Sequence, residues 1–201
     1  MYSFNEYIIE QAGKGLTIFD IDETMFKTKA RVKVVKDGET IKSLDNKEFN
    51  NYKLKRGEKF DFGEFRSAEI FNKTSTPIAR MINKVKAVLK NATKVGSRVI
   101  IVTARPNFDN RDLFLDTFRK QGIDIDNIYV ERAGNLGSGP ADQNKKVIFK
   151  KYLDKDIYKR LRLFDDSMTN LKTFLNLKTD YPGVDFQAYH AKPNGSVRRV
   201  N

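Results

Sequence analysis

An apolar run that delivers two carboxylates into a polar turn constrains this chain most: Leu16-Thr17-Ile18-Phe19-Asp20-Ile21-Asp22-Glu23-Thr24. In an extended strand alternate side chains share a face, so Asp20 and Asp22 converge at the strand's end. Like charges held that close need a cation between them or a proton on one carboxyl. Taken alone, Asp-x-Asp at a strand end equally describes a turn with a helix cap. A second acidic pair changes the balance. Leu161-Arg162-Leu163-Phe164-Asp165-Asp166-Ser167 repeats the pattern of apolar run and then acids. A third run, Arg98-Val99-Ile100-Ile101-Val102-Thr103-Ala104-Arg105, ends in a hydroxyl and a guanidinium, and a basic helix start, Asn144-Lys145-Lys146-Val147-Ile148-Phe149, precedes the second acidic pair.

The residue inventory narrows the chemistry. With no cysteine and one histidine in 201 residues, thiolate and most imidazole metal sites are excluded. Any metal must be held by oxygen, which favours Mg2+. A formal charge of +12 should draw polyanions, DNA or RNA first among them, to a basic surface. No block of five like charges concentrates that field, so a merely basic surface fits the composition too. The chain has no apolar stretch of membrane-spanning length, and Met1-Tyr2-Ser3-Phe4-Asn5-Glu6 has no signal-peptide character. A cytoplasmic setting is expected, that of the host if the chain is phage-encoded.

Along the chain, residues 1–14 read as a polar lead-in that contains only Tyr7-Ile8-Ile9 as an apolar stretch, and the first strand is expected at about 15–20. Asp37-Gly38 between alternating runs predicts a β-hairpin, the start of a flap or small cap insertion over about 27–76. Its second part, Tyr52 to Phe71, interleaves aromatics with Lys53, Lys55, Arg56, Lys59 and Arg66. Such a mixture suits either a face that docks the flap on the core or a platform for stacked bases. Thr74-Ser75-Thr76-Pro77 reads as a capped helix start, with the helix ending before Gly96. A strand at 98–103, a helix at 109–121, a strand at 128–130, a helix at 143–153, a strand at 160–164, a helix at 167–177 and a strand at 186–189 follow, with His190 past the last strand in a structural role. Gly134 to Pro140 matches no phosphate-binding fingerprint and reads as an ordinary connection.

This alternation predicts a single α/β domain over 1–201, its core at about 1–26 and 77–201. It would be a three-layer, Rossmann-like architecture with a central parallel sheet and its site at the carboxyl ends of the strands. Lys145 and Lys146 diverge by about 100° on a helix, so only one of them can face that site.

The Asp-x-Asp-x-Thr, the strand-end Thr, the Lys and the strand-end acidic pair, in that order, resemble the haloacid dehalogenase (HAD) superfamily of phosphotransferases. The resemblance runs from about Gly15 to Tyr189. Lys145-Lys146-Val147-Ile148-Phe149-Lys150-Lys151-Tyr152, the Thr103-Ala104-Arg105 turn and the Asp165-Asp166 pair are similar to the 3'-phosphatase domain of phage polynucleotide kinases. What the resemblance implies is a Mg2+-dependent phosphatase. Asp20 would be the nucleophile and Asp22 the general acid and base, with Thr103 and Lys145 supporting catalysis and Arg105 and Thr24 contacting substrate. The metal would be held by Asp20, Asp22 through its carbonyl, and Asp166, with Asp165 and Asn170 behind them. The expected substrate is a phosphorylated nucleic-acid end or nucleotide. Alternatives are a small-molecule nucleotide phosphatase and a nucleic-acid-binding or regulatory protein that keeps the fold. No Gly-x-x-x-x-Gly-Lys-Ser/Thr is present, so a kinase activity would belong to another protein.

Overall fold

The computed structural model describes residues 14–94, 96–137 and 139–200, so the lead-in expected over 1–14 lies outside it except for Lys14. In chain order the elements are β1 (Lys14–Phe19), β2 (Phe26–Lys27), β3 (Val32–Lys36), β4 (Glu39–Leu44), α1 (Asn46–Asn51), β5 (Glu58–Asp61), α2 (Ala68–Thr74) and β6 (Thr76–Pro77). They continue as α3 (Ala79–Lys94), β7 (Arg98–Thr103), α4 (Arg111–Arg119), β8 (Tyr129–Arg132), α5 (Ala141–Leu153), β9 (Tyr158–Asp165), α6 (Met168–Asn176), β10 (Asp185–Ala191) and β11 (Val197–Val200).

Six strands form the main sheet in the order β11-β10-β9-β1-β7-β8, parallel throughout except for β11, which runs antiparallel to β10. β1 lies inside the sheet, and Leu16, Ile18 and Phe19 are fully buried. That is why the first motif follows an unbroken apolar run: a strand covered on both faces has no polar side to alternate with. One face carries Phe19, Val99, Ile101 and Phe164 against Met81, Ile82 and Val85 of α3 and Phe114 and Phe118 of α4. The opposite face packs Leu16, Ile18, Val102 and Leu163 on Phe149 of α5 and Phe174 of α6. The result is a three-layer α/β arrangement. Among the described residues no helix is long and apolar enough to cross a membrane.

β3, β4 and β5 make a separate antiparallel sheet, ordered β4-β3-β5. Asp37 and Gly38 both have positive φ, 52° and 86°, the backbone of a two-residue turn whose twist matches the strands on either side. Behind the hairpin, Val32, Val34 and Leu44 pack with Phe49, Tyr52, Phe60 and Phe65. The aromatics of the basic-aromatic segment are therefore spent mostly on this small core, while Phe62 remains 42% exposed.

Three details differ from the sequence reading. Thr74-Ser75-Thr76-Pro77 does not start a helix: α2 ends at Thr74, and Pro77 pairs with Phe26 in the two-residue ladder of β2 and β6. Ile78 then donates its amide to the Met25 carbonyl at 2.9 Å, and only afterwards does α3 begin. Residues 68–74, expected in the flap, form a helix packed on the core. Asn72 Nδ2 donates to Thr117 Oγ1 at 3.0 Å, and Phe71 packs with Phe26, Phe114 and Phe118. Finally, β10 extends to Ala191, which puts His190 inside the strand, and β11 adds an edge that the alternation did not announce.

Phe71 is 1% exposed and bridges the insertion to the core. Phe71→Ala should lower the unfolding free energy by about 3–5 kcal/mol, read from the urea midpoint at unchanged slope.

Candidate active site

The strand order places β9, β1 and β7 side by side, so the ends of the three motif-bearing strands are neighbours. Beyond β1 the Asp20 amide still donates to the Phe164 carbonyl at 3.0 Å, which fixes Asp20 beside Asp165. The chain then turns back sharply, with Met25 and Phe26 both donating amides to the Ile21 carbonyl. Glu23 takes a positive φ of 54° within this turn. A non-glycine residue there signals a turn held by its surroundings.

A buried cation organises the first half of the site. Lys145 is 1% exposed and donates through Nζ to Asp20 Oδ1 at 2.7 Å and to Asp165 Oδ2 at 2.8 Å. Of the two adjacent lysines it is the one turned inward. Asp165, fully buried, also accepts from Asn170 Nδ2 at 2.9 and 3.0 Å and from the Ser167 amide at 2.9 Å. Its lone pairs are thereby consumed by protein donors. Asn170, which the sequence aimed at the cation, spends its amide protons on this carboxylate. Ser167 caps α6 and so sets the helix that carries Asn170. Asp166 is only half-buried, and its Oδ1 lies 3.5 Å from the Thr24 hydroxyl. Thr24, expected to contact substrate, is fully buried and supports Asp166 instead.

A second buried cation holds Asp22. Arg105 donates through Nε at 2.9 Å to Oδ2 and through Nη2 at 2.7 Å to Oδ1, a fork matched to a carboxylate. Its guanidinium lies over the rings of Phe65, Phe71 and Phe108 at 4.8, 4.9 and 5.6 Å, and Nη1 donates to the Phe65 carbonyl at 3.3 Å. Arg105, a substrate contact in what the resemblance implies, is 1% exposed with its fork committed to Asp22. Thr103, also fully buried, accepts the Arg105 amide on Oγ1 at 3.1 Å and so shapes the turn that delivers this side chain. The three rings come from separate segments of the chain. No local pattern in the sequence could have marked them as a sheath for Arg105.

Asp20, Asp165 and Asp166 each offer an oxygen, and these oxygens lie within 4.8 Å of one another. Lys145 cannot neutralise all three. Burial, together with Asp165, pushes the Asp166 carboxyl up to about 7 against the pull of Lys145. Asp20 is likewise raised well above the carboxylate range, by burial first and by the charges of Asp165, Asp166 and Asp22 next, although Lys145 opposes this. For Lys145 itself, burial favours the neutral amine, but Asp165 and Asp20 outweigh it and keep the ammonium charged. A cluster of hard oxygen donors with excess negative charge fits a small divalent cation such as magnesium.

No family profile matches this chain, and no curated protein matches it significantly. Among solved structures it is similar to the HAD domain of the effector protein Lem4 from Legionella pneumophila. That likeness has a TM-score of 0.52 at 14% sequence identity and covers 91% of this chain and 88% of the other.

The chain thus shares the fold of a HAD domain, and the acidic cluster stands at the carboxyl ends of its strands. Asp166 has a raised pKa, so the native state keeps a proton that the unfolded chain releases between about pH 4 and 7. Its stabilising effect is complete below the unfolded pKa and is lost as pH rises through 7. Metal-free Asp166→Asn should therefore melt above the parent protein at pH 8, and this lead should shrink toward pH 5. Magnesium should raise the parent's melting temperature more than the variant's. Lys145→Met, which leaves two carboxylates buried without their cation, should cost about 3–5 kcal/mol at neutral pH, read by chemical denaturation.

Proposed function

We propose that this chain is a magnesium-dependent phosphomonoesterase acting through an aspartyl-phosphate, with the 3'-phosphate end of a nucleic acid or a nucleotide as its substrate. The observation that carries the reading is the arrangement around Asp20. Its carboxylate lies beside Lys145 and within metal-sharing distance of Asp165 and Asp166, while Asp22, two residues on, is held separately by Arg105. Two carboxylates with different partners are suited to different tasks.

In this mechanism an Asp20 oxygen attacks phosphorus, and the bond to the leaving oxygen breaks as Asp22 gives that oxygen a proton. Asp22 then takes a proton from water, whose oxygen attacks the same phosphorus and releases inorganic phosphate and free Asp20. Magnesium held by Asp20, Asp166 and the Asp22 carbonyl would neutralise charge on the phosphate oxygens. Lys145 keeps Asp20 oriented and offsets the negative charge of the cluster. Arg105 keeps Asp22 at a fixed position through its fork of donors. Donors fixed in advance in this way contribute much of the catalysis in phosphoryl transfer.

The substrate class rests on two supports. The helix Lys145 to Tyr152, the Thr103-Ala104-Arg105 turn and the Asp165-Asp166 pair resemble the phosphatase domain of phage polynucleotide kinases. In addition, Lys53, Lys55, Arg56 and Lys59, on or beside β5, are all exposed on a chain of charge +12. Such lysines and arginines can neutralise phosphates beyond the one being cleaved, releasing counterions as they do.

Phosphate release from 3'-phosphorylated oligonucleotides, 5'-phosphorylated oligonucleotides and mononucleotides tests the assignment directly. Asp20→Asn should reduce turnover at least about a thousandfold while the circular dichroism spectrum is retained. KM for a 3'-phosphorylated oligonucleotide should rise steeply from low to physiological salt, and KM for a mononucleotide should respond much less. Replacing the four basic residues with Ser should flatten the oligonucleotide's slope. Equal slopes for both substrates would favour a small-molecule phosphatase.

A further inference from the structure

Arg105 is committed to Asp22, and the end of β8 carries another guanidinium. Arg132 is the last residue of that strand and the Cα partner of Thr103 across the sheet. Its guanidinium lies over Phe114 at 4.9 Å and over Phe108 at 5.4 Å, so Phe108 has Arg105 and Arg132 both within 6 Å of its centroid. The two arginines differ in one respect. Among the described residues Arg132 meets no carboxylate, and its Nε is buried without a hydrogen-bond partner. Burial, and after it the charge of Arg111, lowers its hold on the proton. A half-buried guanidinium without an acceptor is costly unless something supplies one.

The ground around it is fixed. Asn107 donates its amide to Asn135 Oδ1, and Asn135 Nδ2 donates back to Asn107 Oδ1, both at 2.9 Å. Gly134 approaches the loop after β7 so closely that a Cβ would lie 2.3 Å from the Ala104 carbonyl oxygen. The start of the glycine-rich stretch, which the sequence presented as an ordinary connection, is thus fastened to the turn that carries Arg105. β8 stands two strands from β1, roughly 10 Å away at ordinary strand spacing.

From this placement we infer that Arg132 is a second anion-binding point, which holds an anionic group of the substrate other than the phosphate reacting at Asp20. The preferred substrate is then a phosphomonoester with a second phosphate about a nucleotide's width from the first. This rests on the phosphomonoesterase reading above and adds a requirement to it. Two rings hold the guanidinium, and a planar fork of donors is what a phosphate oxygen pair accepts.

Thymidine 3'-phosphate and thymidine 3',5'-bisphosphate differ only in the second anion. Calorimetric titration of the Asp20→Asn protein with magnesium should show the bisphosphate binding about tenfold to a hundredfold more tightly. Arg132→Met in that background keeps an apolar stem between the rings without the charge, and should cut the advantage to about twofold or less. Arg132→Lys should retain part of it. Equal affinities for the two ligands in the Asp20→Asn protein would overturn the inference. So would an advantage that survives Arg132→Met, or a loss shared equally by both ligands, which would reduce Arg132 to a support for the loop. Phosphate release from thymidine 3'-phosphate by the parent protein is the separate measure of the underlying reading. No release with the affinity advantage intact would remove the hydrolase and leave the anion point standing.

Discussion

The acidic cluster at the ends of β1 and β9 depends on one ammonium group buried between two carboxylates. Lys145 reaches from α5 to Asp20 after β1 and to Asp165 at the end of β9, so a single group joins a helix to two adjacent strands. Burying these charges costs several kcal/mol per ion, and their attraction offsets that only when the remaining donors and acceptors are filled. Asp165 meets this condition through Asn170 and Ser167. Asp20 does not: among the described residues its carboxylate accepts a side-chain hydrogen bond from Lys145, while the charges of Asp165, Asp166 and Asp22 oppose its own. That imbalance leaves Asp20 with unfilled oxygen capacity, the property required of both a ligand and a nucleophile.

Asp22 is managed by an independent device on the other side of the same turn. Its partner Arg105 is sheathed by three aromatic rings, which remove water from the ion pair without consuming the donors of the fork. The two candidate catalytic carboxylates are two residues apart in sequence but answer to different cations, Lys145 from α5 and Arg105 from the turn after β7. Substitution at one cation should leave the partner of the other in place. The second guanidinium, Arg132, shares Phe108 with Arg105 but meets no carboxylate among the described residues.

Much of this was legible in the sequence because it is local. A strand buried on both faces reads as an apolar run, and a strand end reads as the polar residues that follow it. β7 was readable to the residue, and the Asp37-Gly38 turn was marked by the two residues best able to adopt positive φ. What escaped was non-local. Six- and seven-residue helices such as α1 and α2 are too short for their period to stand out, and α2 is fixed by Asn72 and Phe71 docking on α4. Pro77 was placed in a helix because proline suits a first turn, yet an edge position in a two-residue ladder needs no amide either. Arg105 reads in the sequence as a substrate contact after a motif strand, and only the assembled rings reveal that it is enclosed.

The position of β1 has a consequence for biosynthesis. It is the first described strand to leave the ribosome, but its neighbours in the finished sheet are β7 and β9, and Asp20 waits 125 residues for Lys145. A strand of Leu16, Ile18 and Phe19 thus has both edges unpaired until β7 is made and one edge open until β9 follows, the condition that invites pairing with a neighbouring nascent chain. Ladder completion cannot precede emergence of β9, so the carboxylates of Asp20 and Asp165 come together only after the residues up to Asp165 have been made.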